Sequence, residues 1–166
     1  MAITSLQQID WDTWTPVWRA TLLFVIKEGQ ALLIEKKTGF GAGKINAPGG
    51  RLEPGETPEE AALREMREEL LIDAVGMRKC GELFFQFLDG HSIHGFVFRA
   101  DDHLGVPTET VEAKPLWVPL DEIPFDRMWE DDQYWVPHML NDQAFRARFL
   151  FDGDSMLEKE VHILCD

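Results

Sequence analysis

Residues 50–72 read GRLEPGETPEEAALREMREELLI, and the run REMREE within them places Glu65, Glu68 and Glu69 close enough to repel one another. Like charges three or four residues apart on a helix cost stability unless something positive sits among them. Thr57 followed by Pro58 marks a helix start, an N-cap and a favoured first helical residue, and the pattern runs to about Leu70. At about 100° per residue the three glutamates fall within an arc of roughly 100°. Ala62, Leu63, Met66 and Leu70 occupy a separate apolar arc that suits a core. Arg64 and Arg67 lie off the acidic face, with Arg64 placed to pair with Glu60 or Glu68. One reading is a solvated acidic stripe. The other is an oxygen-rich face for a hard cation, magnesium or manganese. The segment before the helix favours the second, because the glycine-rich loop TGFGAGKINAPGGRLEPGE (38–56) can bring its backbone close to phosphate oxygens.

Outward from this helix the chain reads mostly as strands. VWRATLLFVI from Val17 and ALLIEKK from Ala31 flank a Lys27–Gln30 turn, and GELFFQFL and SIHGFVFRA flank the hairpin signal Asp89-Gly90. LWVPL from Leu116 is a short strand, WEDDQYWVPHML passes from loop into a second helix near residue 135, and FRARFLF and LEKEVHIL form a last pair around Asp152-Gly153. This is an α+β pattern with a mixed sheet, not a βαβ alternation. The 166 residues, 45% hydrophobic and 28% charged, suit one domain over 1–166.

A formal charge of −14 argues against long nucleic acid as a partner, yet a divalent cation can still bring in a small phosphate ligand. No apolar run reaches bilayer length, and MAITSLQQIDWDTW lacks the features of a signal peptide. Cys80 and Cys165 stand alone, which suits a reducing cytoplasm. His91 and His94 bracket a turn and read as surface residues rather than metal ligands.

Gly50, Glu56, Arg64-Glu65, Met66, Glu68-Glu69 and Ile72 have the spacing of the box that defines the Nudix hydrolases, which this chain resembles. Leu71 stands where that family has glycine. The resemblance implies an α/β/α sandwich around a central mixed sheet, and metal-assisted hydrolysis of a nucleoside diphosphate linked to another group. It implies Glu65, Glu68 and Glu69 as metal ligands, one of them also positioning or deprotonating the attacking water. Gly49 would offer its backbone carbonyl to a metal, and Glu56 and Arg64 would pair to brace the loop against the helix.

Two further stretches, KKTGFGAGKIN (36–46) and LDEIPFDRMWEDDQYWVP (120–137), resemble the oxidised purine nucleoside triphosphatases, homologues of bacterial MutT, within that family. This implies a purine pocket lined by Asn46, Trp129, Asp131 and Asp132 with Thr21, Lys36 and Phe40 nearby, and substrate contacts from Gly49, Gly50 and Arg51. Glu112 matches a further acidic metal position, with Glu109 as the fallback. Stacking on tryptophan and pairing by Asn suit a purine. Two adjacent buried aspartates cannot both ionise cheaply, so one should be held protonated and donate. Acids at a helix N-terminus also stabilise the helix by themselves.

Departures remain. Ala47-Pro48 and Ile45 replace aromatic-containing positions of the subfamily, removing one expected wall. Residues 1–16 form an N-terminal extension, and Trp11, Trp14 and Trp18 can close the pocket or mediate a weak homodimer of an otherwise monomeric chain. The expected activity is magnesium-dependent conversion of 8-oxo-dGTP or 2-oxo-dATP to monophosphate and pyrophosphate. The alternatives are a Nudix hydrolase of another nucleotide and an inactive nucleotide-sensing domain.

Overall fold

The computed structural model describes residues 3–164, so Cys165 lies outside the described residues. Strand β1 (Trp18–Lys27) turns into β2 (Gln30–Lys36) through Glu28-Gly29, both at positive φ (54° and 75°), the tight hairpin geometry that glycine eases. The glycine-rich loop is not wholly irregular: β3 (Ile45–Asn46) pairs with β2, and β4 (Gly49–Arg51) pairs with β1. Helix α1 (Pro58–Leu70) follows, then β5 (Asp73–Val75), the hairpin β6 (Arg78–Phe87) and β7 (Ser92–Ala100), β8 (Asp102–Leu104) and β9 (Ala113–Pro119). Helix α2 (Asp132–Leu140) and the hairpin β10 (Phe145–Asp152) and β11 (Ser155–Ile163) complete the chain.

One mixed sheet runs β11-β10-β6-β7-β1-β2-β3, with β4 also on β1 and β9 also on β2. The β1–β7 and β6–β10 pairs are parallel and the rest antiparallel. A small β5–β8 sheet, unmarked by any strong alternation, lies apart. Period-two alternation sorts β1 between two cores. Leu23 and Val25 face Ala62, Met66 and Leu70 of α1, while Phe24 joins Trp135, Val136 and Met139 of α2 on the other side. This is the expected α/β/α sandwich.

Local signals set α1. Thr57 Oγ1 accepts from the Glu60 amide at 3.1 Å and Glu60 Oε1 accepts from the Thr57 amide at 3.0 Å, a reciprocal capping box. Glu60 is thereby occupied at the cap and does not pair with Arg64, as the helical spacing had allowed. The helix ends on Leu71, which adopts the left-handed conformation (φ 61°, ψ 33°) that glycine would take without a Cβ penalty.

None of the described residues of the N-terminal extension lines the pocket; Trp18, at the start of β1, does. Trp11 and Trp14 pack on Phe84, on the opposite strand face from Phe85, and Trp14 Nε1 donates to Gln86 at 2.9 Å. Leu6 and Ile9 are buried against Leu150. His91 and His94 are not plain surface residues either. His94 stacks on Phe84 and its Nε2 lies 2.9 Å from Glu82, and His91 packs against Trp18.

Candidate active site

Burial along α1 follows from rotation about its axis. Taking fully buried Ala62 as the core direction, Glu69, Glu65 and Glu68 lie about 20°, 60° and 120° away. They are respectively buried, half-buried and exposed. The acidic face is therefore continuous with the core edge, contrary to the expectation of two separate arcs. Glu69, only 3% exposed, accepts from the Gly49 amide at 3.1 Å.

Carboxylate oxygens of Glu65, Glu69 and Glu112 lie within 4.8 Å of one another. Glu112 arrives on the segment before β9, where its amide donates to Thr110 Oγ1 and the Thr110 hydroxyl donates to the Glu69 carbonyl at 2.7 Å. Glu109 instead pairs with Lys37, so the register is the one that places Glu112 at the site. Glu68 stays outside this trio and meets Arg64 at 3.1 Å.

Arg64 organises the other acids. It donates through Nε to Glu56 (2.7 Å) and through Nη1 to Glu65 (2.9 Å), and it also reaches the Arg51 carbonyl (3.0 Å). Its bond holds the Glu56 carboxyl down at about 2. Burial, then the adjacent Glu65, pushes Glu69 up to about 9, and burial raises Glu65 as well. Two buried acids raised in this way beside a third form a hard-oxygen donor set that fits a divalent cation, whose charge would return them to the ionised state.

Two glycines make this approach possible. A Cβ on Gly49 would lie 1.9 Å from the Thr21 carbonyl oxygen, and one on Gly50 would lie 2.5 Å from Glu65 Oε1. A side chain at Gly49 would push β4 off β1, and one at Gly50 would displace the Glu65 carboxylate of α1.

The trio forms the floor of a cavity of about 660 Å³ that continues over the end of the sheet. Thr21, Lys36, Phe40, Asn46, Gly49, Gly50, Arg51, Trp129, Asp131 and Asp132 all line it, as do Glu65, Glu69 and Glu112; Glu68 does not. Phe40 stacks on Trp129 with centroids 5.1 Å apart and 13° between planes. Asn46 spends its side-chain oxygen on the Ala47 amide, at 2.9 Å.

Asp131 and Asp132 begin α2 but do not cap it by side-chain bonds. Both are buried. Asp131 Oδ2 accepts from Trp135 Nε1 at 2.8 Å, whereas Asp132 Oδ2 has no partner, and neither has the buried Thr21 hydroxyl. Burial raises the Asp131 carboxyl to about 6; burial and the neighbouring Asp131 raise that of Asp132 well above the usual range. Both shifts run in the direction that favours a protonated acid in the pair.

Several wall residues escape sequence reasoning: Leu83, Phe85, Phe87, Ile93 and Phe151 supply the apolar sides, together with Trp18, which the sequence did single out as able to close the pocket. The alternation Leu83-Phe85-Phe87 was the available signal, although it does not say which core or cavity that face meets. These rings compensate for the aromatics missing at positions 45–48; Ile45 itself is buried in the core.

Residues 16–139 match the NUDIX domain. The chain is 41% identical over 138 residues to the oxidized purine nucleoside triphosphate hydrolase of Danio rerio, covering 82% of this chain and 88% of that protein. It is 40% identical to the Mus musculus protein of the same name, covering 82% and 89%. Among solved structures, the MutT protein of Bacillus halodurans superposes with a TM-score of 0.79 at 28% identity, covering 87% of this chain and 97% of that one.

Proposed function

The chain belongs to the Nudix family, and we propose that it hydrolyses oxidised purine nucleoside triphosphates, 8-oxo-dGTP and 2-oxo-dATP among them, to monophosphate and pyrophosphate. The observation that carries this reading is the buried pair Asp131–Asp132 beside Trp129, with Asp132 Oδ2 and the Thr21 hydroxyl unpartnered in the same cavity as the carboxylate trio. Buried polar atoms without partners are costly and await a ligand that supplies them. A protonated aspartate donates where an ionised one accepts, so the pair can read a base edge altered by oxidation.

Magnesium, or manganese in its place, is the proposed ion, held by Glu65, Glu69 and Glu112 with the Gly49 carbonyl. Glu68, on the same helix, is the further ligand that the resemblance implies. Bound there, the ion would supply positive charge and Lewis acidity against the phosphates. The chain's own groups do the rest. Trp129 stacks the purine, Asn46, Asp131 and Asp132 fix its edge, and Lys36 and Arg51 face the phosphates. Glu69, fixed through Oε1 by the Gly49 amide and set beside Glu65, is placed to orient water and to accept its proton once ionised.

The described residues 3–164 work as one domain, because β10 and β11, beyond the family match, complete the same sheet and Phe151 walls the cavity. Among the described residues no helix is long and apolar enough to cross a membrane. Buried, unpaired Cys80 suits the cytoplasm.

A nucleotide screen tests the reading: with magnesium, oxidised purine triphosphates should release pyrophosphate rather than phosphate. Release of phosphate only, or a dinucleoside polyphosphate or capped RNA end as the best substrate, would replace it with another Nudix chemistry.

A further inference from the structure

Trp18 belongs neither to the box nor to the segments that resemble the purine-specific enzymes, yet it lines the cavity between the base-facing residues and the carboxylates. The Arg51 guanidinium lies over its ring, 4.3 Å from the centroid. His91 packs against the same indole at 4.3 Å with 80° between planes, and Phe40 approaches edge-on at 5.6 Å. The backbone is held as well, since the Val17 amide donates to Ser92 Oγ at 2.9 Å and β1 pairs in parallel with β7 from Trp18↔Ile93 onward.

Arg51 needs such a platform. Its residue is exposed, its guanidinium makes no ion pair among the described residues, and its carbonyl is committed to Arg64. Beside it in sequence, Gly50 abuts Glu65. A long cationic side chain beside three carboxylates in a chain of net charge −14 would otherwise be drawn to the nearest acid. The indole face offers an attraction that does not neutralise the charge, and it directs the guanidinium to the stretch a triphosphate must cross between base chamber and carboxylate floor.

We propose that Trp18 is a substrate-positioning residue, an aromatic platform that holds Arg51 ready for the phosphates of a nucleoside triphosphate. The inference rests on the cavity taking such a nucleotide, as proposed above.

The test compares Trp18→Leu, which keeps apolar volume without an aromatic face, with Trp18→Phe, which keeps a face. Steady-state kinetics use the triphosphate that the wild type turns over best, and calorimetry measures binding of a non-hydrolysable purine nucleoside triphosphate. A cation over a ring is worth roughly severalfold to tens of fold in affinity. Trp18→Leu should therefore raise KM and Kd about tenfold with kcat within about threefold, and Trp18→Phe should recover most of that loss. In an Arg51→Ala background Trp18→Leu should add little. Equal losses from Leu and Phe, a loss confined to kcat or Tm, or full additivity with Arg51→Ala overturns the proposal. A wild type that binds the analogue without preferring an oxidised base removes the substrate reading and leaves this one standing. Preference for the oxidised base with unchanged affinity in Trp18→Leu removes this inference alone. A wild type that binds no analogue removes both.

Discussion

Around α1, Glu56 of the preceding loop and Glu65 and Glu68 of the helix each meet Arg64, and Glu69 accepts from a backbone amide. At the other end of the cavity, Asp131 Oδ2 accepts from Trp135 Nε1, and Asp132 Oδ2 has no partner. The two ends hold acids by different means. Both ends bury acids at a desolvation cost, but the floor's acids are braced by Arg64 and the Gly49 amide and suit a cation, whereas the chamber leaves Asp132 Oδ2 for a ligand to meet. Chemistry and specificity are thus separable, and substitutions at the two ends should fail in different ways.

The largest effect belongs to the floor. Glu69→Gln should lower kcat by about a hundredfold or more with the fold intact, since metal-ligand and general-base roles reach that size. Glu60→Gln keeps the capping box and should leave kcat unchanged, because glutamine serves the same cap. Equal kcat losses for the two would erase the distinction between floor and helix surface.

In the chamber, Asn at Asp131 or Asp132 should raise KM for oxidised purines and shift preference between 8-oxo-dGTP and 2-oxo-dATP by about tenfold. An amide imitates one protonation state and not both, and one unpaired buried polar contact costs about 1–3 kcal/mol. Turnover of a poorly held nucleotide should barely change. If kcat/KM falls equally for both oxidised nucleotides and for dGTP, the pair only supports α2.

The same pair sets a pH dependence of stability. Both carboxyls are raised relative to the unfolded chain, so their contribution is fullest below about pH 4. It is lost from there as pH rises through about 6 for Asp131, and further for Asp132. Asp132→Asn should flatten the fall of Tm between pH 4 and 8 and make the protein more stable by a few degrees at pH 7–8. Parallel Tm curves for wild type and variant would show that the chamber carries no such cost.

The smallest effect concerns neither end. Leu71→Gly relieves a left-handed leucine whose side chain is 59% exposed, so little packing is lost. The expected gain is about 0.5–1 kcal/mol, roughly 1–4 °C in Tm, with kcat unchanged. A drop in Tm would mean that leucine's contacts outweigh its backbone strain.

The α1 half of the floor was legible because it is contiguous, whereas Glu112 arrives from a distant segment and was reached only through the resemblance. The cap, the helix, the Arg64 brace and the glutamate spacing all fall within residues 50–72 and obey local rules. What was misread there is tertiary: Glu69 sits at the core edge, and Glu60 is spent on the cap. The chamber was legible only in part, through Asn46, Trp129, Asp131 and Asp132. Its walls come from β1, β6, β7 and β10, and no local pattern tells which face of a strand closes over which loop. The β3 and β4 pairings hid in the glycine-rich loop for the same reason, since two- and three-residue strands leave no period to detect.

The separation of floor and chamber is tested most directly by kcat/KM for 8-oxo-dGTP against dGTP, with magnesium, in wild type and in Asp132→Asn. The account predicts a preference of at least about tenfold for the oxidised nucleotide in the wild type, largely lost in the variant while kcat for dGTP holds. Equal kcat/KM values in the wild type, or a preference that survives the substitution, would contradict it.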